Sequence, residues 1–271
     1  MNKNDRPLIL LTNDDGIRSP GLWAAAEALS SLGYVVVAAP RDQSSGAGRS
    51  MPRNSDGSIR QEEVKVGGKC WPVYAVGGSP AQSVQHGVLE IAERKPDLVV
   101  AGINYGENVG TGITASGTVG AALEAAANDI PALAVSLQTD QSQHMTNDPA
   151  VDFCTAIYFT RLFAQRWLAA ERLPDVDVLK IDIPASATPD TPWVITRLQK
   201  GKYYTHLPPL RKRLDDEGRI GYMADPRIAL DLDSDAKGIL DGLVTVTPLS
   251  LDITSRIAPD ALHRVLNNHR D

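Results

Sequence analysis

Cysteine, phenylalanine and histidine are scarce in this chain: 271 residues hold two, three and five of them. Cys70 and Cys154 lie far apart and form no metal-type pair, which argues against a disulfide framework and a thiolate zinc site. Each reads as a buried thiol in a reducing compartment. No run reaches the ~18 apolar residues of a membrane span. The opening MNKNDRP has neither a long apolar segment nor a small-residue cleavage site, so no signal peptide is expected and the cytoplasm is the expected location. Positive charge is not in excess either: 27 Lys and Arg face 33 Asp and Glu, a net charge of -6. That excludes a duplex-binding protein, which needs a basic face to neutralise phosphates. A small anionic substrate stays compatible, because one metal ion or a few backbone amides can reverse the local potential. His86 falls inside a predicted helix, and His144, His206, His263 and His269 show no ligand spacing. They read as structural or solvated. No Gly-Lys-Ser/Thr occurs, so the chain has no Walker loop.

What remains is an ordinary globular composition, 42% hydrophobic and 22% charged, in a chain long enough to bury a substantial core. Its N-terminal region alternates between strands and helices. Strands are expected over 7–12, 34–40, 96–104, 130–137 and 176–184, as short apolar runs of the kind a parallel sheet buries on both faces. Helices are expected over 20–33, from Ser79 to Lys95, over 118–128 and over 149–170. Pro20 suits a first helical position, and Ser79 followed by Pro80 suits a cap and its successor. Residues 59–76 alternate and break at Gly67-Gly68, which predicts a hairpin.

Repeated strand–helix–strand units predict an α/β fold: a three-layer, doubly wound, mostly parallel, Rossmann-like sheet. Residues 1–190 are read as this core and 191–271 as a hairpin-rich extension of the same structural unit. That extension includes "GLVTVTPL" and the terminal helix "PDALHRVLNNH". Its charge run reads as a solvated face, Tyr203 and Tyr204 read as packing residues, and extended arms of this kind suit exchange between subunits.

The chemistry is expected at the carboxyl ends of the strands, where open parallel sheets bind ligands. "LILLTNDDGI" places Asp14 and Asp15 side by side after the first strand. Two carboxylates ~4 Å apart repel by roughly 4 kcal/mol at an effective dielectric of about 20, so the pair invites a cation, although Asp-Gly is also common turn chemistry. The second strand ends in "PRDQSSGAGRS", with Ser44 and Ser45, and a later one in "NYGENVGTGITASGT", starting at Asn104. Carboxylate, hydroxyl and amide oxygens are hard ligands suited to Mg²⁺, Mn²⁺ or Ca²⁺. Ser116-Gly117-Thr118 then opens an alanine-rich helix, whose N-terminal amides form a natural phosphate seat. Ser116 alone fits a simple helix cap equally well.

The series "LLTNDDGI", "AAPRDQSSGAG", "GSPAQSV", "GINYGENVG", "SGTVGAALEAA" and "VTVTPLSLDIT" resembles the SurE family of survival proteins, metal-dependent 5′- and 3′-nucleotidases. The resemblance covers residues 7–255. It implies one divalent cation per subunit, Mg²⁺ or Mn²⁺ with Ca²⁺ as an alternative in a crystal, held by Asp14, Asp15, Ser45 and Asn104. Asp14 and Asp15 are then also the catalytic pair. Asn13, Gly46, Asn108, Ser116, Gly117 and Thr118 are the expected phosphate or substrate contacts. The implied substrates are nucleoside monophosphates, with short polyphosphate as an additional candidate, and the implied assembly is a homodimer built partly by the extended arms, with a tetramer as the alternative. Two stretches depart from the family pattern: Met51-Pro52-Arg53-Asn54, at the expected edge of the nucleoside pocket, and Lys180 with Asp182, where paired asparagines are usual.

Two competing readings fail on residues. A haloacid-dehalogenase phosphatase wants a second Asp two positions after the first, and here Asp14 is followed by Asp15-Gly16-Ile17. A response-regulator receiver wants an acceptor Asp where this chain has Asn104 and a Lys that "AVSLQTD" lacks. A non-catalytic nucleotide- or metal-sensing module stays as the alternative. Arg41 and Arg49 are the only cations in these motifs offered as leaving-group acids.

Overall fold

In a computed structural model that describes residues 6–66, 69–201, 203–224 and 230–267, the chain runs β1 (Leu8–Thr12), α1 (Pro20–Ser30), β2 (Tyr34–Pro40), β3 (Ile59–Val66), β4 (Lys69–Val76), α2 (Pro80–His86), β5 (Leu98–Tyr105), α3 (Gly117–Ala126), β6 (Ala132–Leu137), α4 (Cys154–Ala169), β7 (Val178–Ile183), β8 (Trp193–Ile195), β9 (Tyr204–Leu207), β10 (Gly221–Ala224), α5 (Asp235–Leu240), β11 (Val244–Leu249) and α6 (Pro259–Asn267). Nine strands form one sheet in the order β3-β4-β2-β1-β5-β6-β7-β11-β8, and β9 and β10 form a separate antiparallel ribbon. Every pairing from β4 across to β7 is parallel. Among the described residues of this sheet, only β3 against β4 and β11 against β7 are antiparallel. The α/β, doubly wound, Rossmann-like architecture is therefore as the sequence pattern predicts.

Strand period sets the layers. Along β1, Ile9 and Leu11 face one core with α1 and α4, while Leu8 and Leu10 face the other with α2 and α3, as alternation across a pleated strand requires. The strand order reverses between β1 and its two neighbours: β2 and β4 lie to one side, β5 to the other. Connections leave in opposite directions there and open a crevice beyond the strand ends.

Several elements differ in extent or place from the sequence expectation. The helix expected up to Lys95 is α-helical only through His86 and widens into a π-type turn over Gly87–Ile91. Gly87 lies against Leu10, where a Cβ would come within 2.7 Å of the leucine side chain. The helix expected from residue 149 begins at Cys154, where the Asp152 carboxylate accepts the Cys154 N–H at 2.8 Å. The strand in "GLVTVTPL" does not belong to a hairpin. It is β11, set inside the main sheet, with Val244, Thr245, Val246 and Thr247 all buried. Both cysteines, expected to be buried, are exposed. The Gly67-Gly68 turn lies outside the described residues, although the strands on either side pair as a hairpin should. No helix among the described residues is long and apolar enough to cross a membrane.

Candidate active site

The turn after β1 is braced by its own asparagine. Asn13 donates through Nδ2 to the Gly16 carbonyl at 3.1 Å and accepts the Gly16 N–H on Oδ1 at 3.2 Å. Gly16 sits at φ +93°, a left-handed conformation open to glycine at little strain. Asn13, expected among the substrate contacts, is fully buried and commits its amide to this turn. The Ser44 N–H donates to the Asp14 carbonyl at 2.7 Å, which fastens the turn to the loop after β2.

Asp14 and Asp15 are both buried. Thr118, in the first turn of α3, donates its hydroxyl to Asp14 Oδ1 at 2.5 Å. Asp15 accepts from Gln43 Nε2 at 3.0 Å and from the Tyr105 N–H at 3.4 Å. Burial pushes the Asp14 carboxyl above its usual range, with Thr118 and backbone amides opposing. Burial first, then the Asp14 charge, push Asp15 well above that range. The groups that oppose the rise are all neutral hydrogen-bond donors. The pair is thus an uncompensated charge site that a cation would neutralise.

The other expected oxygens converge on the same place. Gln43 Nε2 reaches Ser45 Oγ at 3.2 Å as well as Asp15. Asn104 directs its amide N–H groups to the carbonyls of Tyr105 and Gly106, at 3.2 and 2.8 Å, leaving its Oδ1 as the acceptor end. Asp14, Ser45, Gly46, Asn104, Asn108 and Ser116 all line one cavity of about 570 Å³. Among the described residues no three His, Cys, Asp or Glu side chains cluster as a metal site. A cation here would draw on two carboxylates completed by hydroxyl and amide oxygens, a donor set that fits a hard divalent ion.

Helix α3 brings its amino end to Asp14. Ser116 caps it by accepting the Val119 N–H at 3.1 Å, so that hydroxyl is engaged, while the Gly117 and Thr118 amides face the Asp14 carboxylate. A Cβ on Gly117 would lie 2.7 Å from Asp14 Cβ and 2.8 Å from its Oδ2. Only glycine allows this approach. Gly120, on the next turn of the helix, permits a similar contact, since a Cβ there would come within 2.2 Å of the Gly48 carbonyl.

Several residues in and behind the cavity wall escaped the sequence reading. Gln43 ties Asp15, Ser45 and the His144 carbonyl together. His144 lines the cavity, with Nδ1 3.1 Å from the Tyr222 hydroxyl. Tyr203 and Tyr204 pack edge to face with centroids 4.9 Å apart, but they also line the cavity. Glu107, buried beside Asn108, accepts the Tyr204 hydroxyl at 2.8 Å. None of these has a motif to betray it, because each depends on contacts between distant loops. Arg41 pairs with Asp42 and Asp56, and Arg49 with Glu124. Neither lines the cavity. The Met51–Asn54 run does not line it either; Ser50 and Pro52 instead offer their carbonyls to Ser79 and Gln82 at the start of α2.

Known proteins share this arrangement of strands and motifs. The family model described as "Survival protein SurE" matches residues 9–205. The protein named 5′-nucleotidase SurE from Methanocella arvoryzae is 39% identical over 268 residues, covering 96% of this chain and 98% of the relative. That from Methanosarcina mazei is 41% identical over 272 residues, with 96% and 98% covered. The crystal structure of SurE protein from Aquifex aeolicus superposes with a TM-score of 0.72 at 30% identity, over 96% of this chain and 100% of that one. Matched by the family pattern over most of its length and by relatives nearly end to end, the chain belongs to the SurE family.

Proposed function

We propose that this chain is a divalent-metal-dependent phosphomonoesterase, a 5′-nucleotidase that hydrolyses nucleoside 5′-monophosphates to nucleoside and phosphate. Nucleoside 3′-monophosphates and short polyphosphate are further substrates in this reading. The observation that carries it is the buried Asp14–Asp15 pair, opposed only by neutral donors and set against the amino end of α3. The relatives' name, 5′-nucleotidase SurE, supports it. Asp14, Asp15, Ser45 and Asn104 would hold one Mg²⁺ or Mn²⁺ per subunit.

Monoester hydrolysis is among the slowest of uncatalysed reactions, and enzymes accelerate it by up to ~10²¹. A helix terminus, worth on the order of 1 kcal/mol, does not supply that. A bound divalent cation polarises the phosphoryl oxygens and acidifies a water. The protein's own share is positional. Thr118 fixes the rotamer of Asp14, and Gln43 and the Tyr105 amide fix that of Asp15. The amides at Gly117 and Thr118 face the Asp14 carboxylate, so in this reading the amino end of α3 acts on the phosphate through Asp14 and by its dipole. Asn108 donates to Ser136 Oγ at 2.9 Å, which holds its amide at the cavity wall for the substrate phosphate. The tyrosine wall takes the nucleoside, since aromatic rings stack on bases.

The protein is further proposed to act in the cytoplasm as a homodimer built partly by its C-terminal arms, with a tetramer of two such dimers as the alternative assembly. The deciding measurement is phosphate release from AMP and GMP with Mn²⁺ or Mg²⁺, with and without chelator, beside Asp14→Ala. Release that needs the cation and is lost in Asp14→Ala is the expected result. No release under any cation would assign a sensing module instead.

A further inference from the structure

We propose that a fully buried triad, Lys180, Asp182 and Asp235, positions the substrate-binding wall of the cavity from behind. This rests on the nucleotidase reading above. All three side chains are completely inaccessible. Lys180 Nζ pairs with Asp182 and, at 3.1 Å, with Asp235 Oδ2. Buried charges of this kind persist only when nearly every lone pair and N–H is used, and here the remaining lone pairs serve one loop and its neighbour.

Asp182 Oδ1 accepts the Asn108 N–H at 2.7 Å, and Asp235 Oδ2 accepts the Gly110 N–H at 3.0 Å. Both amides belong to the glycine-rich stretch between β5 and α3. Asp235 Oδ1 accepts the Gln199 N–H at 2.9 Å, and Thr111 donates its hydroxyl to the Gly201 carbonyl at 3.0 Å. Beyond Gly201 come Tyr203 and Tyr204, the aromatic side of the cavity. One lysine on β7 thus holds two carboxylates that in turn hold both walls of the substrate end.

The triad does not touch the proposed metal ligands. Asp14 and Asp15 depend on Thr118, Gln43 and Tyr105, and Asn104 on its own neighbours. The two halves of the site therefore rest on different side-chain supports. Lys180, Asp182 and Asp235 are positioning residues, since none lines the cavity itself.

The test compares Asp182→Asn, Asp182→Ala and Lys180→Met with the intact protein. Three quantities are read on each: KM and kcat for AMP, the Mn²⁺ dissociation constant, and the calorimetric affinity of the Mn²⁺-loaded protein for inorganic phosphate. Asparagine keeps an acceptor for the Asn108 N–H; alanine does not. KM and the phosphate dissociation constant should rise in the order intact, Asp182→Asn, Asp182→Ala, by about 10- to 100-fold at the end, the factor expected when a buried N–H loses its acceptor. The Mn²⁺ constant should stay within about twofold, because its supports are untouched.

Folded variants with unchanged KM and phosphate affinity would make the triad a mere staple and overturn the proposal. Equal losses of Mn²⁺ and phosphate affinity would overturn it too, as general loosening. Should Asp182→Ala not fold, Asp182→Asn and Lys180→Met carry the same comparison. If the intact protein releases no phosphate from AMP with any cation, the nucleotidase reading fails. The phosphate-binding arm then still reports on the triad alone.

Discussion

Gly117 stands so close to Asp14 that a single added carbon would lie 2.8 Å from the carboxylate oxygen Oδ2, while the next residue, Thr118, donates its hydroxyl to Oδ1 at 2.5 Å. The amino end of α3 and the turn after β1 are thus fitted to one another across the mouth of the sheet. The fit brings the positive end of a helix dipole against a carboxylate, a pairing that favours the charged form of Asp14.

Gly117→Ala should separate metal affinity from folding. Overpacking at a tight contact typically costs about 1–3 kcal/mol, so the variant should fold with a lowered Tm. The carboxylate that must move is Asp14, and the Mn²⁺ dissociation constant should rise about tenfold or more. Gly120→Ala meets the Gly48 carbonyl instead and should destabilise through the serine loop with a smaller change in Mn²⁺ affinity. Calorimetric titration of both variants makes the comparison. Equal Mn²⁺ constants would show that the approach at Gly117 has no bearing on the metal.

Asp15→Asn should exchange function for stability. In the metal-free protein the Asp15 charge is disfavoured by burial and by Asp14, and an isosteric amide removes both penalties while still accepting from Gln43. The metal-free variant should melt at a higher temperature than the intact protein, and Mn²⁺ should no longer raise its Tm. Such gains are common where an active site holds unfavourable charge. Differential scanning with and without Mn²⁺ measures it, and a lower metal-free Tm would contradict the electrostatic account.

Much of this architecture is legible in the sequence, and the reason is local. β1, β2, β5, β6 and β7 are short apolar runs buried on both faces, and such strands stand out in sequence. Asp14, Ser45, Asn104 and Ser116 follow directly on strands or precede a helix, so topology alone brings them to one cavity, with Asp15 and Gly117 packed just behind its wall. What stays hidden depends on contacts far apart in the chain. Nothing near Gln43 says that it will bridge Asp15 and the His144 carbonyl. Nothing near Lys180 says that it will meet Asp235, which lies on a helix beyond three further strands. The place of β11 is obscured because its flanks are turn-rich, which suggests a hairpin, while pairing with β7 is a long-range event. The exposure of Cys70 and Cys154 runs against expectation because cysteine is usually buried.

Proton release on metal binding follows from the same carboxylate pair. Both groups titrate above their ordinary range in the folded, metal-free chain, whereas unfolding returns them to about 3.9. Between those limits the folded state holds more protons than the unfolded one, so metal-free stability should fall as pH rises through that window and level off above it. Asp182, pushed up to about 6 by burial against the pull of Lys180, adds to the same trend but does not respond to the cation. A divalent ion needs both Asp14 and Asp15 ionised and must expel whatever proton they keep. The rise in Tm on adding Mn²⁺ should therefore grow with pH, and at mildly acidic pH the heat of Mn²⁺ binding should change with the ionisation enthalpy of the buffer. A binding heat that is the same in every buffer, with a pH-independent shift in Tm, would mean that the pair is already fully ionised, and the electrostatic reading of the site would then be wrong.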